Sequence, residues 1–423
     1  MKLTRREFGV LAGAVGVGAA SAKVSFASGG GKVVVIGGGA GGATVARYLK
    51  KDAPELDITL VEVQKQYTTC FYSNLYLGGY RTLDSITHSY SKLSDEYGVN
   101  VVHALATGVD GNAKTVTLET GDVLSYDKLV LSPGIDFRWD LIEGYGPEAA
   151  QVMPHAYKAG VQTQILKQQL EAMPAGGTVV IAPPPNPFRC PPGPYERGCM
   201  IANYLQKNKP GSKLLILDSK DKHSKMALFQ DAYNNIYGDI VEWVAAEFTD
   251  GGVKSVNTAD MTVTTGDGEV TKVDVANIIP GQKAGLIAEI AGCTNDSGWC
   301  PIVPETFESR LVPDVHVLGD ASIAAAMPKS GFSANSQAKV VANAVRASLT
   351  GSKAFPPRFR NTCWSLISDD NGVKVGASYK AGEEKVEKVD GFISKVGEDD
   401  AVREQTFAEA NGWYDAITAD MFG

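Results

Sequence analysis

Residues 32–63 constrain this chain more than any other stretch. Lys32-Val33-Val34-Val35-Ile36 is a short run with apolar residues on both faces, the pattern of a central parallel strand. Gly37-Gly38-Gly39-Ala40-Gly41-Gly42 follows at once and satisfies G-x-G-x-x-G. A helical period then runs through Gly42, Val45, Ala46 and Leu49. A second strand, ITLVEV from Ile58 to Val63, carries Glu62 twenty residues after Gly42. A glycine loop by itself is only a turn. Strand, loop, helix, strand and acid in this order make the dinucleotide-binding fingerprint. Gly37 permits the tight turn, Gly39 lets a pyrophosphate approach the backbone, and Gly42 lets helix and strand pack closely. The helix N-terminus offers unpaired N–H groups, and Glu62 can accept hydrogen bonds from a ribose.

At 423 residues the chain exceeds one ordinary core, so two or three domains are expected. A net charge of -8 argues against nucleic acid as a partner. Thr4-Arg5-Arg6-Glu7-Phe8 is a twin-arginine pattern, followed by a weakly apolar run from Gly9 to Ala22 and small-residue cleavage sites at Ala20-Ser21-Ala22 and Ser25-Phe26-Ala27. The run is too short to span a bilayer. Residues 1–27 therefore read as a twin-arginine export signal, and the mature chain as periplasmic and not inserted in the membrane. An oxidising compartment permits disulfides. The six cysteines include no C-x-x-C pair and the five histidines do not cluster, so no metal site is readable. The absence of C-x-x-C-H leaves no haem c attachment in this chain.

Two further segments extend the pattern. Tyr126 to Gly134 reads as a strand ending in a small-residue turn. Val315-His316-Val317-Leu318-Gly319-Asp320 reads as another, ending in Gly-Asp. Pro328-Lys329-Ser330-Gly331 then opens a helix through Gln337, Val340 and Ala344. In this order the set resembles the two-dinucleotide-domain flavoproteins of the glutathione-reductase-like superfamily. That resemblance implies FAD, with Asp320 at the ribityl–phosphate region and the helix N-terminus aimed at the pyrimidine end of the flavin. There the helix dipole favours negative charge. The candidate cofactor contacts are Gly37, Gly39, Gly42, Glu62, Ser132, Gly134, Asp320, Lys329 and Ser330.

The same frame recurs downstream without its glycines. Thr178-Val179-Val180-Ile181 echoes the first strand and Lys213-Leu214-Leu215-Ile216-Leu217-Asp218 echoes the second, but Pro183-Pro184-Pro185 stands in the loop. Proline has no N–H and a fixed φ, so this loop cannot cradle a phosphate, and no nicotinamide dinucleotide is expected there. It can hold Cys190 on a stiff support. The bland reading is a structural cysteine.

Cys190-Pro191-Pro192-Gly193-Pro194-Tyr195-Glu196 resembles a segment of the flavin-binding subunit of flavocytochrome c sulfide dehydrogenases, with sulfide:quinone oxidoreductases as wider relatives. The resemblance implies a redox-active disulfide between Cys190 and Cys363, Glu196 as a proton acceptor, and a thioether from Cys70 to FAD. It also implies hydrosulfide as substrate and a c-type cytochrome subunit as partner in a heterodimer. Standing alone, Cys70 would read as a free buried cysteine. A sulfide:quinone oxidoreductase, or a non-catalytic FAD-containing electron-transfer protein, is the alternative. Cys199, Cys293 and Cys300 receive no catalytic role. A Cys293–Cys300 loop disulfide, or a bond from Cys199 to either, is open.

The fold class that follows is α/β, with two Rossmann-like domains and a smaller α+β C-terminal domain. Residues 31–142 and 284–352 form the FAD domain, and 143–283 a second Rossmann-like domain lacking a nucleotide loop. Residues 353–423 form a C-terminal domain at the cytochrome interface. Lys374 to Ala377 reads as a strand, and Glu383 to Arg403 as a charged stretch with no apolar stripe. Phe407, Trp413 and Tyr414 read as surface for packing on another protein.

Overall fold

A computed structural model describes residues 30–423; the export-signal reading of residues 1–27 lies outside them. Val33, Val34 and Val35 are each no more than 2% exposed, as a strand covered on both faces requires. Lys32–Ile36 is the middle of a five-stranded parallel sheet. One neighbour is Asp57–Val61, flanked by Asn100–Val102. The other is Lys128–Leu131, flanked by Val315–Val317. Chain-distant Val315–Val317 is tied in by Asp314, whose carboxylate takes Lys128 Nζ at 2.5 Å and Lys114 Nζ at 2.6 Å.

The internal echo is a repeat in space. Thr178–Ala182 pairs in parallel with Lys213–Leu217 on one side and Val275–Ile278 on the other, and Val241–Val244 completes a four-stranded sheet. The register matches that of the first unit: Thr178 faces Lys213 as Lys32 faces Asp57. An antiparallel ribbon, Ile135–Arg138 on Gly281–Ala284, lies where the chain leaves the first unit and returns to it.

The remaining chain builds an antiparallel sheet from Arg358–Ser368, Asn371–Ala381 and Val386–Ile393, then a 23-residue helix, Asp400–Phe422. This α/β fold with a smaller antiparallel unit is the class expected from the sequence. One local expectation is extended and one is corrected. The charged stretch from Glu383 contains the strand Val386–Ile393, one edge of which pairs with its neighbour while its outer residues stay exposed. Strand pairing, invisible to a search for a helical stripe, explains it. Second, Tyr414 is 2% exposed and packs inside this chain, its ring 4.4 Å from that of Tyr72. Trp413 stacks on Phe332 and Trp364, and Phe407 packs against the same core. The C-terminal helix folds back against the helices Gly42–Asp52 and Gly331–Thr350, and so these aromatics are spent internally.

Candidate active site

Three strand ends meet at the carboxyl edge of the first sheet: Ile36, Leu131 and Val317 lead into Gly37, Ser132 and Gly319-Asp320. Ligands of open α/β sheets bind at that edge. Gly37 has φ +98°, and a Cβ there would lie 2.3 Å from the Ser132 carbonyl oxygen. At Gly42 a Cβ would lie 1.9 Å from the Gly37 oxygen. Both positions therefore exclude any side chain. Gly39 differs: a Cβ there would come no nearer than 3.4 Å to the Tyr67 ring. Glu62 accepts from the Gly38 N–H at 2.7 Å and from Gln64 N–H at 2.9 Å. Gly134 accepts at its carbonyl from Gly285 N–H.

Asp320 sits across from Arg189, Oδ2 to Nη1 3.7 Å, and its Oδ1 is buried with no partner. Lys329 Nζ donates to the carbonyls of Asp320 (2.7 Å) and Ser322 (2.8 Å) and lies 3.7 Å above the Trp299 ring. Burial pulls its pKa down to about 8. Ser330 caps the helix Gly331–Thr350, accepting from Ser333 N–H at 3.1 Å and donating to Asn361 Oδ1 at 2.6 Å. An orphaned carboxylate oxygen beside two side-chain-free glycines is the setting that a ribityl diphosphate would complete, so the residues present fit FAD.

The cysteines converge on this edge. Cys190 holds a left-handed backbone, φ 52°, and is pinned on both sides: its N–H donates to Lys329 O at 2.7 Å and its carbonyl accepts from Tyr157 OH and Gly193 N–H. Cys70 and Cys190 line one cavity of about 20 Å³ with Tyr157, Arg189 and Arg197. Cys363 lies on Arg358–Ser368, where Asn361 Nδ2 donates to its Sγ at 3.4 Å. The Cys190 thiol is pushed well up, by burial first and then by the Cys363 sulfur. Burial also raises Cys363, against the hydrogen bond from Asn361 and the charge of Lys225.

Glu196 projects from the helix Gly193–Asn208 between these elements. Its Oε2 accepts from Asn74 Nδ2 at 2.7 Å and its Oε1 from Leu366 N–H at 2.9 Å. Burial raises its pKa, opposed by those two hydrogen bonds. All six cysteines are free thiols. The expected Cys190–Cys363 bridge is therefore open here. The Cys293–Cys300 loop bridge is not formed either; both thiols are fully buried, and the Cys293 Sγ turns to the Ala291 carbonyl.

Sequence reasoning missed Asn74, Arg197, Lys225 and Asn361. Asn361 carried a signal: two residues before Cys363 on a strand, it shares its face. Lys225 and Asn74 carried none, since only the fold brings them to the sulfurs. Arg197 is 2% exposed and is held by Asn74, Asn277 and the carbonyls of His155 and Ala156.

The second sheet's edge is closed by contrast. Asp218, where Glu62 stands in the first unit, is fully buried and accepts from Tyr195 OH (2.6 Å), Trp243 Nε1 (3.0 Å) and Lys220 Nζ (2.6 Å). Lys220 Nζ also donates to the Pro184 carbonyl.

Residues 163–280 match the family described as sulfide dehydrogenase (flavocytochrome c) flavoprotein chain, central. Residues 355–422 match flavocytochrome c sulphide dehydrogenase, flavin-binding. Residues 31–171 match the pyridine nucleotide-disulphide oxidoreductases. The chain has the domain architecture of a flavin-binding, sulfide-dehydrogenase-like oxidoreductase. A sulfide-quinone reductase of Aquifex aeolicus is 30% identical over 167 residues, 39% of this chain and 37% of that protein. The match thus spans little more than a third of that relative's length. Among solved structures, the sulfide:quinone oxidoreductase from Aquifex aeolicus superposes with a TM-score of 0.73 at 19% identity, covering 92% of each chain. An NAD-dependent persulfide reductase from A. fulgidus superposes with a TM-score of 0.62 at 17% identity, covering 89% of this chain and 77% of that one. These likenesses carry the fold. The family matches add flavoprotein and disulphide-oxidoreductase domains along that fold. Among the described residues no helix is long and apolar enough to cross a membrane.

Proposed function

We propose that this protein oxidises hydrosulfide at the Cys190–Cys363 pair and passes the electrons to a c-type cytochrome. The observation that carries the reading is the convergence of Cys190, on its proline-flanked loop, with Cys363 and the carboxylate of Glu196, beside Cys70. In the oxidised enzyme, hydrosulfide attacks one sulfur of the Cys190–Cys363 bridge. The old S–S bond breaks, a persulfide forms on one cysteine, and the other leaves as thiolate. The proton released from the attacking sulfur goes to Glu196, whose carboxylate the Asn74 amide and the Leu366 N–H hold in place. A second hydrosulfide attacking the persulfide's outer sulfur releases a polysulfide anion and leaves two cysteine thiolates. Bound FAD would supply the acceptor for the electron pair given up as the bridge re-forms. The cofactor's residues are Gly37, Gly39, Gly42, Glu62, Ser132, Gly134, Asp320, Lys329 and Ser330, with Cys70 as its covalent anchor. Export by the twin-arginine route places the chain in the periplasm.

Support for a cytochrome acceptor comes from the match over residues 355–422. It comes also from stacked rings, Phe332, Trp364 and Trp413, that run from beside Cys363 to an open groove with Phe392. The second reading, a quinone acceptor, is favoured by the Aquifex relatives. It is favoured too by an apolar cavity of about 630 Å³ lined by Pro185, Phe188, Trp299 and Met327. Sulfide-dependent reduction assayed with a soluble c-type cytochrome and with a short-chain quinone separates them. Cytochrome reduction alone is expected; quinone reduction alone would move the assignment to the second reading. No sulfide-dependent bleaching of the flavin would remove both. Flavin colour that stays with acid-precipitated protein, and leaves with Cys70→Ser, checks the anchor.

A further inference from the structure

A buried lysine stands beside the reacting sulfurs without a counter-ion. Lys225 precedes the helix Met226–Ala232 with a left-handed backbone, φ 57°, and is 5% exposed. Its Nζ donates to Ser365 Oγ at 2.6 Å and to the Cys363 carbonyl at 3.1 Å. Both partners are neutral, and the lysine forms no ion pair among the described residues. An ammonium has three donors, so one remains uncommitted. Cys363 and Ser365 are two apart on one strand, so their side chains share a face. An ammonium bonded to the Ser365 hydroxyl is thereby held on the face that carries the Cys363 sulfur. A charge buried in this way is costly unless an anion comes to it.

We propose that the Lys225 ammonium is the built-in counter-ion for anionic sulfur at Cys363, setting where negative charge rests when the bridge is open. This rests on the reading of Cys190 and Cys363 as the reacting pair. The groups that face this sulfur are few. Glu196 comes from the helix Gly193–Asn208, Cys190 from the loop before it, Ser330 from the cap of the helix Gly331–Thr350, Asn361 from its own strand and Tyr379 from the next, while Cys199 faces Lys225. Arg197, on the same helix as Glu196, is committed to neutral oxygens. Burial pulls Lys225 down, and the anions that push it back are Cys363 first and Glu196 second. Lysine thus holds the sulfur anion and leaves the proton to the raised carboxyl of Glu196. Cys190 has Cys363 and Glu196 raising its thiol, with Lys225 a lesser opposing charge.

The test is the pH dependence of Cys363 alkylation by iodoacetamide in the reduced, FAD-containing protein, read peptide by peptide in a mass spectrometer. Lys225→Met should move the half-maximal pH for Cys363 labelling upward by about 1–3 units, the range for loss of a close opposite charge. Lys225→Arg, which keeps the charge, should restore most of it. A Lys225→Met profile superimposed on the wild type, in protein with an unchanged flavin spectrum and melting curve, would overturn the proposal. A purely packing role predicts that result. If Lys225→Met does not fold, Ser365→Ala keeps the ammonium but frees it, and should shift the profile the same way by less; no shift there would overturn the proposal equally. Glu196→Gln removes the competing anion and should shift it downward; an upward shift would count against it. Labelling needs no turnover, so an enzyme that proved inert to sulfide would refute the proposed reaction and leave the charge assignment standing on its own data.

Discussion

After Lys32–Ile36 the chain turns on glycine; after Thr178–Ala182 it turns on proline. The strands, their register and the position of the following acid are the same in both units. What differs is which groups meet at the strand ends. In the first unit two positions admit no Cβ, Glu62 takes the Gly38 backbone N–H, and one oxygen of Asp320 stays unpartnered. In the second unit the acid that follows the second strand has found its partners in the chain itself. Asp218 is capped by Tyr195, Trp243 and Lys220, and the Cys190 carbonyl takes the Gly193 N–H at the start of the helix. The comparison teaches that the same strand frame can leave its strand-end groups open or close them with the chain's own donors, and a buried acceptor already paired has little to gain from a ribose.

The largest effect should come from the second loop's new occupant. Cys190→Ser or Cys363→Ser should lower sulfide-dependent flavin reduction by roughly a thousandfold or more, since members of one chemical unit fail together. Stopped-flow absorbance at the flavin band checks it, and a rate near wild type in either variant would return the proline loop to a purely structural role.

The first loop should break on a single methyl group. Gly42→Ala places Cβ against the Gly37 carbonyl, where 1.9 Å separates them in the present backbone. A loss of about 2–4 kcal/mol in stability, with FAD content falling, is expected by denaturant titration and flavin-to-protein ratio. The converse change in the second loop, Pro184→Gly, should not create NADH binding by fluorescence titration, because Asp218 remains capped. Measurable binding would show that proline alone closed the site.

Glu196 offers a pH test. Its folded pKa is raised by burial, so the carboxyl stays protonated to higher pH than an ordinary glutamate. A proton acceptor must be ionised, so the rate should fall as pH drops through that raised value. Glu196→Gln should remove this limb and cost about tenfold to a hundredfold above it. A persistent acid limb in the variant would assign it to another group.

The smallest effect belongs to the cap on the second acid. Tyr195→Phe removes one of three donors to a buried carboxylate and should cost about 1–3 kcal/mol, read as a lowered melting temperature with sulfide kinetics unchanged. No change in stability would mean that Trp243 and Lys220 suffice to hold Asp218.

How far the site could be read before the fold was known varies by residue. The geometry of Gly37, Gly42 and Glu62 was legible because it is local: a turn, a close approach and an acid at fixed spacing. The repeat at Thr178 was legible because strand patterning survives the loss of the loop. The aromatic residues of the tail were misread because apolar content does not say which surface covers it. Tyr414 sits under Tyr72 and Thr69, more than three hundred positions upstream. Asn74, Arg197 and Lys225 had no motif at all, since each acts through one contact made across the fold.

By itself the sequence determined the α/β frame, the two strand–loop–helix–strand units and the unequal chemistry of their loops, because backbone sterics and hydrophobic period act over a few residues. Tertiary structure alone decided that Cys190, Cys363, Glu196 and Lys225 share one neighbourhood, and that the closing helix packs on the helices Gly42–Asp52 and Gly331–Thr350. Burial and the fields of neighbouring charges depend on distance through space, and chain order does not encode that distance.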